Sequence, residues 1–78
     1  MTPQQDILLK RITIKPNFMQ SKPTIRGLRF PVADILELLA NGLSEEDIVE
    51  QHPILEKEDI RAALIYSATK INEDLIHE

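Results

Sequence analysis

Residues 31–51 read PVADILELLANGLSEEDIVEQ, and this stretch decides the fold. Val32, Ile35, Leu36 and Leu39 recur at i, i+3, i+4 and i+7, which is one face of a helix. Pro31 is tolerated at a helix start, where its missing N–H would have no partner anyway. Asp34 and Glu37 suit the early turns through the helix dipole. Asn41-Gly42 ends the helix, glycine taking the left-handed cap position. Leu43 folds back, and Ser44 starts a second, short helix with Asp47 three residues on, close to a capping box. That helix carries Ile48 and Val49. It stops before His52-Pro53, because the residue preceding proline resists helical backbone. Ile54 and Leu55 are expected to plug the turn beneath it.

A third helix is expected from about Lys57, since neither glycine nor proline follows. Glu56, Glu58 and Asp59 suit its positive end. Ile60, Leu64, Ile71 and Leu75 form a stripe that Ala63 and Ala68 fill, and Ala62, Ile65 and Tyr66 broaden it. A helix of some twenty residues is about 30 Å long, more than a two-turn second helix can cover. The last turns therefore need another cover, from a second copy or from the N-terminal strand. Ile71, Leu75 and Ile76 are the expected dimer interface.

Upstream of residue 31 the pattern is extended. Ile12 and Ile14 alternate with Arg11 and Thr13 inside an expected strand over residues 7–15. Pro16-Asn17 ends it. Thr24 to Phe30 reads as a second extended piece, broken at Gly27, which can supply a positive φ or a bulge. The expected fold class is therefore mainly α. It is a three-helix, helix-turn-helix-like bundle over 32–78 with a short β arm or hairpin in a basic segment over 1–31, the whole forming one domain.

Charge divides the same way. Residues 1–31 carry six cations against Asp6 alone, and residues 32–78 carry three cations against twelve acids, within a net charge of -4. A basic segment meets phosphates or an acidic protein surface, whereas an acidic third helix is a poor partner for DNA. With 78 residues the core is small, and a partner chain is expected. The chain has no cysteine, which removes disulfides and thiolate sites and suits a reducing cytoplasm. No apolar run reaches the length of a membrane span, and the polar start does not read as a signal peptide. No nucleophile–base pair, metal cluster or phosphate loop is visible, so the chain is read as non-enzymatic, without cofactor or metal.

Lys22-Pro23-Thr24-Ile25-Arg26-Gly27-Leu28-Arg29, Val32 through Leu39, Asn41-Gly42-Leu43-Ser44, Ile48, Pro53, Leu55, Glu58-Asp59-Ile60 and Ala62-Ala63-Leu64 stand in a fixed order. Over residues 12–66 this series resembles the domain-of-unknown-function-433 family of small prokaryotic proteins. The resemblance implies a winged-helix or homeodomain-like fold. It also implies an antitoxin role, similar to the VapB-like partners of PIN-like nuclease toxins. Gln20-Ser21, Leu28, His52 and Glu56 stand where the family more often has, in turn, a small pair, threonine, an aromatic residue and a Thr or Ser cap.

On that reading Lys22, Arg26 and Arg29 are the candidates for toxin or phosphate binding, since arginine forks pair with carboxylate and phosphate alike. The alternative for the arginines is a tie to acids such as Asp34 or Glu37. Lys10, Arg11 and Lys15 are candidates for contact with a DNA backbone, and otherwise form a solvated strand edge. His52 is read as structural, having too few neighbouring ligands for zinc. Tyr66 is expected half buried with its hydroxyl wet, and Glu45-Glu46-Asp47 serves the helix dipole. The expected function is an antitoxin that binds a nuclease toxin, and DNA as a homodimer. The other reading is a dimeric protein-interaction module without a DNA role.

Overall fold

The computed structural model describes residues 2–76, with side chains through Glu73. The protein is mainly helical with one small hairpin. In chain order it has helix α1 (Pro3–Leu9), strand β1 (Ile12–Thr13), strand β2 (Thr24–Ile25), and helices α2 (Val32–Ala40), α3 (Glu45–Gln51) and α4 (Lys57–Ile76).

Helix α1 replaces the first part of the expected strand. Thr2 accepts a hydrogen bond from the Gln5 N–H while the Gln5 side chain accepts from the Thr2 N–H, and Pro3 begins the helix. This reciprocal cap satisfies two otherwise unpaired donors. Ile7, Leu8 and Leu9 do not alternate with polar residues, so nothing local opposes a helix there. Alternation begins only at Arg11. The strands are correspondingly short: β1 and β2 pair antiparallel, Ile12 opposite Ile25 and Thr13 opposite Thr24. The second extended piece ends at Ile25, because Arg26 and Gly27 both have positive φ, 47° and 71°. Two successive residues of that kind reverse the chain tightly, as in primed hairpin turns. The Leu28 N–H donates to the Ile25 carbonyl at 2.7 Å and closes the reversal.

The helical stretch follows its sequence pattern. Val32 and Ile35 of α2 are buried, with Leu36 and Leu39 beside them. Gly42 has φ of 96° after the last turn. Ser44 and Asp47 form the capping box of α3, and Ile48 is its buried anchor. Leu55 plugs the turn as expected, but Ile54 is 56 % exposed. Its carbonyl is used instead, as an acceptor for Arg26. The core joins Ile25, Val32, Ile35, Ile48, Leu55, Ile60 and Ala63.

The expected stripe of α4 divides into two faces. Ile60, Ala62 and Ala63 face the core, while Leu64 is 45 % and Ile71 60 % exposed. A helix advances about 100° per residue, so positions 59, 60, 62 and 63 share the buried side while Leu64, one step further round, falls beyond its edge. Helix α1 packs along the first half of α4, with a shallow groove of about 270 Å³ between Ile7, Leu8, Glu58 and Arg61. The N-terminal segment therefore packs on α4 as a helix rather than as a strand, and on its first half rather than on the last turns expected to need a cover, where Ile71 stays exposed.

Candidate functional site

The basic segment is tied to the helical layer through one carboxylate. Asp59 is the third residue of α4, and its side chain is fully buried. Arg26 grips it bidentately, Nε to Oδ1 at 3.0 Å and Nη2 to Oδ2 at 2.8 Å. Arg11 reaches Oδ1 at 2.9 Å and Glu56 at 2.6 Å. The Glu56 N–H donates to Oδ2 at 2.8 Å, so the same carboxylate also caps α4. Burial alone would raise the Asp59 pKa. Hydrogen bonds from Arg26, the Glu56 N–H and Arg11 outweigh burial and hold it below the ordinary aspartate value. Arg11 is raised by its hydrogen bonds to Glu56 and Asp59, and Arg26 by its bonds to Asp59.

Two of the six cations in residues 1–31 thus work inside the fold. Arg26 does tie the hairpin to an acid, but the acid is Asp59 rather than Asp34 or Glu37. The sequence places Asp59 with Glu56 and Glu58 at the positive end of the helix but does not by itself mark it as the hub. Its position three residues after Glu56 was the available signal, since that is where a carboxylate reaches back to a helix cap.

The other four, Lys10, Lys15, Lys22 and Arg29, are exposed and form no ion pair among the described residues. Three of them gather at the loop between β1 and β2. The Arg29 guanidinium carbon lies 5.4 Å, and the Lys15 Nζ 5.7 Å, from the centre of the Phe18 ring. Both are cation–π distances. Arg29 Nη1 is also 3.9 Å from the Met19 sulfur, and the Lys22 N–H donates to the Met19 carbonyl at 3.1 Å. Phe18, which the sequence offers with Met19 as an apolar pair expected to pack onto the core, is instead the organising ring of the cationic loop.

The loop's backbone is unusual. Asn17, Met19, Gln20 and Ser21 all have φ between 50° and 63°. Residues other than glycine pay for the left-handed region with steric strain of about 1–2 kcal/mol each. Three consecutive such residues make a left-handed turn, and backbone strain of this kind clusters at functional sites.

The remaining candidates are scattered. Lys10 caps the end of α1. Ile71 lies on the exposed half of α4, and the side chains of Leu75 and Ile76 fall outside the described residues. His52 packs edge-on to Phe30, ring centres 5.1 Å apart, in a groove of about 360 Å³ that also holds Asp34 and Glu37. Among the described residues no three His, Cys, Asp or Glu side chains converge as a metal site. No helix of the described residues is long and apolar enough to cross a membrane.

The profile of a family described as "Protein of unknown function (DUF433)" matches residues 12–67, and the chain belongs to that family. The match begins at β1 and runs through the hairpin, the cationic loop and all of α2, α3 and the covered half of α4. A curated relative, "Uncharacterized protein y4eO" of Sinorhizobium fredii, is 39 % identical over 56 residues. Those residues make up 72 % of this chain but only 25 % of the relative, so the chain matches about a quarter of that protein. No solved structure matches the chain.

Proposed function

We propose that this protein is the antitoxin of a toxin–antitoxin pair, binding a PIN-like nuclease and, as a homodimer, operator DNA. The observation that carries this reading is the exposed cationic loop: Lys15 and Arg29 over Phe18, with Lys22 exposed on the same loop and none of the three ion-paired among the described residues. Such a loop complements the acidic pocket of a metal-dependent nuclease, where Arg29 would pair with carboxylates bidentately. Arg26 acts indirectly, by holding the hairpin to α4. The bundle of α2, α3 and α4 has the order of a helix-turn-helix domain. Its third helix is acidic, so DNA affinity falls to the loop and to Lys10.

Tagging the product of the neighbouring reading frame and co-expressing it with this chain tests the toxin half. A stable complex that is lost with K22E/R29E supports occlusion by the loop. A complex indifferent to that pair removes the loop from the interface. The DNA half is tested by titrating labelled duplex at several salt concentrations, since phosphate contacts give a steep salt dependence. A flat, weak response favours the second reading, a dimeric interaction module without a DNA role. The observation behind that second reading is the acid excess of α4, with Glu58, Asp59, Glu73 and Asp74 against Lys57, Arg61 and Lys70.

A further inference from the structure

Helix α4 is 20 residues long, whereas α2 has nine and α3 seven. Its far half outruns the bundle, and residues 70–73 are all exposed. Along one side of α4, from its covered half out onto the overhang, Leu64, Ala68 and Ile71 are exposed, and position 75 continues their register. The steps are four, three and four residues, the seam spacing of a helix pair.

We infer that this seam docks a second copy of the same chain, with the two α4 helices antiparallel. The order of steps reads the same from both ends, so a two-fold axis near residues 69–70 superposes the seam on itself. An interface between identical chains of this type must be self-complementary in that way. Position 64 then faces the partner's 75, and Ala68 faces the partner's Ile71, small against large. In a parallel pair each acidic Glu73 would lie level with its own copy, whereas the antiparallel order sets it level with the partner's Tyr66.

This pairing also fixes where the two cationic hairpins sit. Each is held to its own Asp59 by Arg11 and Arg26. About the stated axis, the two Asp59 positions are separated by 21 helical steps, or about 32 Å along the helices. Successive major-groove sites on one face of B-DNA are about 34–36 Å apart. The dimer therefore presents its two basic hairpins one helical turn apart. This last step rests on the DNA half of the proposed function, while the docking does not.

The seam is short, so the dimer belongs with small, weaker interfaces and is best examined from micromolar to millimolar concentration. Sedimentation should show a monomer–dimer equilibrium that I71E shifts to monomer while far-ultraviolet circular dichroism stays helical. A monomer throughout, or a dimer that I71E leaves intact, overturns the docking. The chain has no cysteine, so single spin labels are clean. With E58C the two labelled positions should lie about 35 Å apart along the helices, and with N72C about 8 Å. Short distances at both positions mean a parallel pair and overturn both the geometry and the one-turn spacing. A dimer of the expected geometry that ignores DNA upholds the docking and overturns the DNA half of the proposed function.

Discussion

Arg26 and Asp59 are 33 residues apart in sequence, yet the guanidinium meets the carboxylate through two parallel contacts, at 3.0 and 2.8 Å. One carboxylate, fully buried, holds together a hairpin arginine, an arginine at the end of α1 and the first turn of α4. A two-residue sheet has too little ladder to hold a hairpin in place alone. The ion cluster supplies the missing attachment.

Removing that carboxylate leaves Arg26 with the Ile54 carbonyl alone and the Glu56 N–H without its acceptor, while Arg11 keeps Glu56. D59A is expected to cost about 1–3 kcal/mol, the usual result of removing one partner of a charged hydrogen-bond network. Urea unfolding followed by circular dichroism measures it. A loss within the range of a surface substitution would mean that the hairpin is held by packing alone.

The same group makes stability depend on pH. The Asp59 pKa is lower in the folded protein than its reference value of 3.8. Folding therefore favours the ionised form, and the contribution is fully present above the unfolded value, near 4. It is lost as pH falls through the folded value below that. Thermal melts should fall across this acid window, and D59N should flatten that part of the profile. An unchanged acid limb in D59N would assign the acid sensitivity to other groups.

The turn after α2 isolates a pure backbone effect. Gly42 has φ of 96°, and a Cβ placed on it meets nothing within 4 Å. G42A should destabilise the protein by about 1 kcal/mol through strain, not collision. G27A combines a φ of 71° with a contact at 3.1 Å, but that contact is the flexible end of Lys15. Its cost should be comparable, and equal melts for wild type and both variants would contradict the assigned conformations.

The cap of α3 is separable from the core. S44A removes the acceptor for the Asp47 N–H, now 3.1 Å away, and should cost about 0.5–2 kcal/mol. T2A makes the parallel test at α1, where no residue of the helix is fully buried. There the expected outcome is local: faster amide exchange in residues 3–9 with little change in global stability.

The cationic loop should behave oppositely to the ion cluster. K22E and R29E alter exposed side chains without a carboxylate partner, so stability should change by about 0.5 kcal/mol or less. On the proposed function, binding to a nuclease or to DNA should weaken strongly. A large drop in melting temperature would show that Arg29 is a structural brace for Phe18.

Local chemistry along the chain was enough to determine the helical half. The apolar period of α2, Gly42 behind it, the Ser44 cap and Pro53 are each decided within a few residues, so they can be read in order. The series from Lys22 to Leu64 was likewise sufficient to recognise the family that the match over residues 12–67 establishes. The cap of α1 is equally local, in the Thr2-to-Gln5 spacing, but the alternation at Ile12 and Ile14 carries the expected strand too far upstream.

Only the tertiary structure decided which cations are spent and which are offered. Arg26 and Arg29 stand three residues apart with the same side chain, yet one is locked to Asp59 and the other lies over Phe18. The difference is the positive-φ reversal at Arg26-Gly27, which turns one arginine toward α4 and leaves the next on the loop. The α4 stripe was ambiguous for a related reason. Helical spacing states which residues share a face, but the number of faces that meet a core depends on how much protein surrounds the helix, and that is settled by packing.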